Sequence, residues 1–494
     1  MLKSLNLATA TLLLVGTIVH AQPNRTVPGL PAAAPNVNPE HENSKKQAEQ
    51  AYRSAQFLKV EELTSKVISE NSKDHVALYL RGSARVELGI RTRDVPKIRQ
   101  GIADCRGAIL HDTQSQSMYY LPYLYGMSNL AKLESRPQHA DVAIQVATST
   151  LAESEDRGED RANLIYQRAY AQQSKGDFDA AILDYQAAIK EFPAHLGAHV
   201  ALAEVFVKAG KTEEAKAAFA SALETFPDSP LIFNNRGMFL QQQNMHEEAV
   251  QDFTAALKND ANYYTSYTNR GFSLMQLGNP TAAVIDYNES LKRNPNQAEV
   301  YRLKASANLA QGKADEAIAD YQQMVKIDPR RAVAKAELGF AQFFAGDYRS
   351  AFDSLTAAKQ ADANLRYVDP WRYLALARLG QEDKAKTIFN DSLQKIAVQR
   401  DWIDSLIAYQ AGTIAMRDLA ASMSQNDENM KISQQCEADF FTAHRMLKEN
   451  EGGKAREHFQ KAIDSGKTHL SAYRGARYAL KQFETASSDD SAPN

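Results

Sequence analysis

Residues 176–193 read GDFDAAILDYQAAIKEFP, and the rest of the chain is measured against that stretch. Gly176 supplies a residue that tolerates a left-handed backbone and so ends one helix. Ala181, five positions on, is small enough to let a second helix approach the first closely. Tyr185, four further on, falls on the same helix face as Ala181. Pro193 then stops the second helix. The same grammar returns every 34 residues, at Gly210, Asn244, Gly278, Gly312, Gly346 and Gly380. The small residue recurs as Ala215, Ala249, Ala283, Ala317, Ala351 and Ala385. The large one recurs as Phe219, Phe253, Tyr287, Tyr321, Leu355 and Phe389. Each unit is therefore expected to be two antiparallel helices. A pair of short helices buries too little apolar surface to offset its ordering entropy, so neighbouring units must stack into a solenoid.

These residues resemble the tetratricopeptide repeat (TPR) family, through the Gly-x-Phe/Tyr-x-x-Ala pattern and the closing Pro193, Pro227, Pro295 and Pro329. Ala261, Ala363 and Ala397 stand in place of the Pro, and Pro370 starts a helix instead of ending one. The resemblance implies an all-α, right-handed solenoid of antiparallel helix pairs, a TPR superhelix of about ten units. Seven regular units span 161–397, preceded by divergent units over 44–160 with an insertion near 90–99. Residues 398–483 form a last unit with a capping helix, and 484–494 (ETASSDDSAPN) read as a disordered polar tail. Residues 401–480 resemble the C-terminal part of NlpI-type periplasmic TPR lipoproteins, through Asp401-Trp402, Gly412, Cys436-Glu437-Ala438, Phe441, Ala455, Phe459, Ala462 and Ala479-Leu480. That second resemblance implies an adaptor that brings a protease to cell-wall hydrolases, and it implies a homodimer. Ile403 and Ala443 depart from the pattern, and the lipid-bearing Cys is missing.

The N-terminus carries an address. Lys3 precedes an apolar stretch over 5–19, and Val19-His20-Ala21 places small residues where a signal peptidase inspects them, so cleavage is expected after Ala21. The runner-up is a retained anchor, which the shortness of the stretch disfavours. Residues 22–43, with Pro23, Pro28, Pro31, Pro35 and Pro39, read as an extended linker. The expected location is a bacterial periplasm.

Composition excludes several classes. The chain has 494 residues, 57 Lys plus Arg against 60 Asp plus Glu, and a net charge of −3, which argues against a general nucleic-acid binder. Its two cysteines, Cys105 and Cys436, lie too far apart on a solenoid to pair. No nucleophile elbow and no zinc signature occurs. His195 and His199 have metal-ligand spacing, but His199 sits at a repeat position used for packing. Ser465-Gly466-Lys467-Thr468 imitates the end of a phosphate loop, yet Lys461 replaces its required Gly and the preceding segment is helical. Arg91, Arg93, Lys97 and Arg99 read as a solvated basic loop. No catalytic residue, metal or cofactor is expected.

What the TPR resemblance implies instead is a binding groove lined by the first helix of each unit. Its positions in two central units include Asn234, Asn235, Met238 and Gln242, then Thr268, Asn269, Phe272 and Gln276. Asn235 and Asn269 share a repeat position, where an amide could both donate to and accept from an extended peptide. The other reading of Asn-Arg-Gly (235–237, 269–271) is a helix-packing variant. Phe340, Phe343, Phe344, Tyr367 and Trp371 read mostly as core, with an exposed remainder for docking. Uncharged Tyr166, Val200, Asn234 and Thr268 disfavour chaperone C-termini as ligands. The expected partners are other proteins or extended peptides. The alternative function is a structural component that self-associates.

Overall fold

The structure is a computed structural model that describes residues 39–112 and 116–489. Residues 1–38, with the expected signal peptide and most of the linker, and residues 490–494 of the tail lie outside the described residues. Among the described residues the regular structure is helical, without strands, and within each compact unit the helices follow one another as antiparallel pairs. The chain divides into two compact units, one ending at Arg236 and one beginning at Gly237.

Every residue of the 34-residue series adopts the left-handed conformation, from Gly176 (φ 93°) through Asn244 (φ 59°) to Gly380 (φ 72°). The hairpin turns of the less regular pairs do the same with other residues, at Ala55, Arg93, Ser135, Gly412 and Asn450. Ala55, Arg93 and Ser135 adopt it at a cost of about 1–2 kcal/mol each, so the turn persists where the sequence pattern has faded. The paired small and large residues are buried throughout, from Ala181 and Tyr185 to Ala385 and Phe389.

Close helix contact is quantitative at Gly271. A Cβ there would lie 2.8 Å from Tyr287 Cε1 and 3.2 Å from the Ala283 carbonyl oxygen. Gly271→Ala is therefore expected to destabilise the chain by about 1–3 kcal/mol through overpacking. Gly453→Ala, where nothing lies within 4 Å, should change little. Urea unfolding of both variants checks this, and equal midpoints would remove the close-contact explanation.

The helices differ from the expected segments at three places. The first helix begins at Pro39 and runs to Arg53, inside the stretch read as linker. The last helix runs from Ser471 to Asp489, into the stretch read as a disordered tail. The second helix of the seventh unit breaks into Glu382–Ile388 and Asn390–Gln394. Asn390, Asp391 and Ser392 have short polar side chains that compete for backbone partners, which favours a break at that point.

The basic stretch around residue 91 is not a loop. Arg91 lies within His75–Thr92, Arg93 caps it in a left-handed turn, and Val95–His111 follows. Lys97 bonds Glu61 at 3.2 Å and Arg99 bonds Glu134 at 2.7 Å, so these two charges have partners within the chain.

Candidate functional site

In the N-terminal compact unit, Asn234 and Asn235 are 1% and 3% exposed. The Asn234 amide donates to Asn235 Oδ1 at 3.3 Å. The Asn235 amide donates to Glu204 Oε1 at 3.4 Å, on the preceding unit. In the C-terminal compact unit, Met238, Thr268 and Asn269 are likewise buried. Thr268 Oγ1 shares a 2.7 Å hydrogen bond with Ser290 Oγ on the second helix of its own unit. Units stack closely enough that these side chains bond one another, and a peptide reaching them would have to displace those bonds. Gln242 and Gln276 are exposed and Phe272 is half-buried. The nearby Gln241, also buried, donates to the Asn269 carbonyl at 2.7 Å and to Ser273 Oγ at 2.8 Å, which ties one first helix to the next.

A repeated ion pair joins the two helices of several units, and sequence reading missed it. Arg168–Asp184 and Arg270–Asp286 are bidentate at 2.7–2.8 Å, and Lys304 reaches Asp320 at 2.9 Å. Arg81 and Asp104 repeat the arrangement upstream. In the three regular units the signal is a cation followed sixteen residues later by Asp.

The aromatic cluster is mostly core, as its repeat spacing implies, but part of its cover comes from outside the regular array. Phe340, Phe343 and Trp371 are each 2% exposed. They are covered by the chain's own C-terminal segment. Trp371 packs on Phe440 (ring centroids 4.7 Å) and Phe441 (5.5 Å), and Phe343 packs on His444 (5.3 Å). Phe440, Phe441 and His444 belong to helix Glu428–Lys448. The last helix, expected only to cap the end of the stack, also reaches back to helices Ala298–Ala310 and Ala332–Phe344. Arg474 donates to both carboxylate oxygens of Glu337, at 2.6 and 3.0 Å, across 137 residues of sequence. Although burial opposes it, the Arg474 guanidinium holds the Glu337 carboxyl below its ordinary range, with Arg302 adding to the effect. Glu337 occupies the same repeat position as Asn235, Asn269 and Trp371.

The other residues singled out by sequence have structural roles. His195 Nδ1 accepts from the Ala198 amide at 3.0 Å, and burial pushes its pKa down to about 4. His199 Nε2 bonds the Pro193 carbonyl at 2.9 Å. Among the described residues no group of three or more His, Cys, Asp or Glu is placed to hold a metal ion. Gly466 is left-handed in the turn before the last helix, where Lys467 Nζ donates to Asn429 Oδ1 at 3.2 Å. Cys105 and Cys436 are free and buried, and burial pushes the Cys436 thiol up to about 12. No helix among the described residues is long and apolar enough to cross a membrane.

Family models described as tetratricopeptide repeat match residues 173–234, 232–263 and 268–332, so this part of the chain carries TPR repeats. Among solved structures, PilW, a widely conserved type IV pilus biogenesis factor, is 23% identical over 42% of this chain and 94% of its own, at a TM-score of 0.36. PilF of Pseudomonas aeruginosa is 22% identical over 41% of this chain and 92% of its own, also at 0.36. YrrB, a TPR protein with an unusual peptide-binding site, is 20% identical over 37% of this chain and 93% of its own, at 0.33. No curated protein matches the chain.

Proposed function

We propose that this chain is a non-catalytic, exported adaptor that binds other proteins in a bacterial cell envelope. The observation that carries the reading is the TPR array itself, matched by family models over most of 173–332. Stacked helix pairs supply an extended, rigid surface on which a partner can be read along several units. Within it, exposed Gln276 beside half-buried Phe272 on helix Tyr264–Gln276 offers an amide and an adaptable apolar contact. Asn269, on the same helix, lies buried beneath that surface. Export is supported by the signal-like residues 1–21. The likeness of residues 401–480 to NlpI-type lipoproteins points to proteases or cell-wall enzymes as the proteins recruited.

A crosslinked pull-down from the envelope fraction tests this, comparing wild type with Phe272→Ala/Gln276→Ala. The adaptor reading expects specific partners that the double variant loses while its helicity stays intact. Recovery of the chain itself, and nothing else, would replace it with the self-assembling structural role. That second reading draws support from Ile396 and Val398, which are 60% and 88% exposed beside the broken helix of the seventh unit.

A further inference from the structure

The last helix has two working faces. Ala472, Ala476 and Leu480, at i, i+4 and i+8, are buried in the core shared with helices Glu428–Lys448 and Gly452–Asp464. On the opposite face stand Arg474, Tyr478 and Lys481, at i, i+4 and i+7. Arg474 pairs with Glu337, and the Tyr478 ring stacks on Phe344 at 6.1 Å. The Lys481 stem lies along the Gly312 turn, 3.2 Å from where a Cβ would stand. Gly475 sits where the two faces meet. A Cβ there would come within 2.7 Å of both Phe344 and Phe440.

Glu337 and Phe344 lie on the first helix of their unit, at positions where the TPR groove is expected. The resident of this stretch of groove is therefore a segment of the same chain. We propose that residues 298–344 form a helix-docking site held shut by the helix Ser471–Asp489. A competing partner would be a helix with an Arg and an aromatic residue one turn apart and a small residue beside the Arg. Two features make the resident helix exchangeable. It hangs from a turn containing the left-handed Gly466. Its array-facing side is chiefly polar and aromatic, and releasing it returns two charges to water. A buried ion pair of this kind selects a partner and register more than it adds net stability. The proposal deepens the adaptor reading but is tested apart from it, since its probe comes from this chain.

The test uses the full chain and a fluorescein-labelled peptide of residues 468–484, read by anisotropy. A docked helix that outweighs the open form by about 100 to 1 lowers a competitor's apparent affinity by about 100-fold. Wild type is expected to bind the peptide weakly. Arg474→Glu, whose own helix now repels Glu337, should bind it up to about 100-fold more tightly. Adding Glu337→Arg should re-dock the helix and abolish the gain. Tyr478→Ala is the milder second variant, with Glu337 left intact, and it should show a smaller gain. Amide exchange over 471–484 should quicken in Arg474→Glu and Tyr478→Ala and slow again in the charge-swapped chain. The proposal is overturned by equal peptide affinity for wild type and both single variants. It is equally overturned if amide protection of the helix is unchanged in both.

Discussion

Trp371→Ala is expected to cost the C-terminal compact unit about 3–5 kcal/mol, the range for removing a large buried aromatic side chain. The indole is 2% exposed, and five aromatic rings meet it, with centroids between 4.7 and 5.8 Å. Phe340, Phe343 and Phe344 come from the neighbouring unit, and Phe440 and Phe441 come from the returning C-terminal segment. Neither group can close over the vacated space without losing contact with the other. Trp371→Phe, which keeps an aromatic body, should recover more than half of the loss. Urea unfolding followed by circular dichroism measures both variants. A loss below about 1 kcal/mol for the Ala variant would mean that the C-terminal segment does not rest on this side chain.

Glu337→Ala is expected to cost about 3–5 kcal/mol, because it leaves Arg474 buried without its carboxylate. Glu337→Leu/Arg474→Met, which removes both charges at similar volume, should lie much closer to wild type than either single variant. Comparable losses in the double variant would show that packing, not the stranded charge, sets the cost. The pair also has a pH signature. The Glu337 pKa is lowered from 4.5, so the unfolded chain takes up its proton first as the solution is acidified. The stabilisation is present above pH 4.5 and is lost as pH falls through the lower folded value. The melting-temperature gap between wild type and Glu337→Gln should therefore hold steady near neutrality and narrow below pH 4.5.

The departures from the sequence reading share one cause. Gly380, Ala385 and Phe389 keep perfect phase, yet the helix that carries Ala385 stops at Ile388. Phase reports which residues must be buried, and it does not report whether three polar residues in a row just after them will interrupt the helix. Asn235 and Asn269 likewise stand at groove positions, but neighbouring units bury them. A repeat position names a helix face, and how much of that face its neighbours cover is set by packing.

The helical-pair architecture is legible in residue order alone. It is so because each signal is local or acts between adjacent units: a left-handed residue ends a helix, and Ala181 lets the helix that it shares with Tyr185 pack closely on the one before. Such terms recur every 34 residues and reinforce one another. What fills the groove is a matter of long-range packing. Glu337 and Arg474 are 137 residues apart and belong to no repeat relationship, so neither residue type nor spacing marks them as partners. Their pairing follows from where the stacked units bring the last helix, a sum of many small packing choices that no single stretch of sequence encodes.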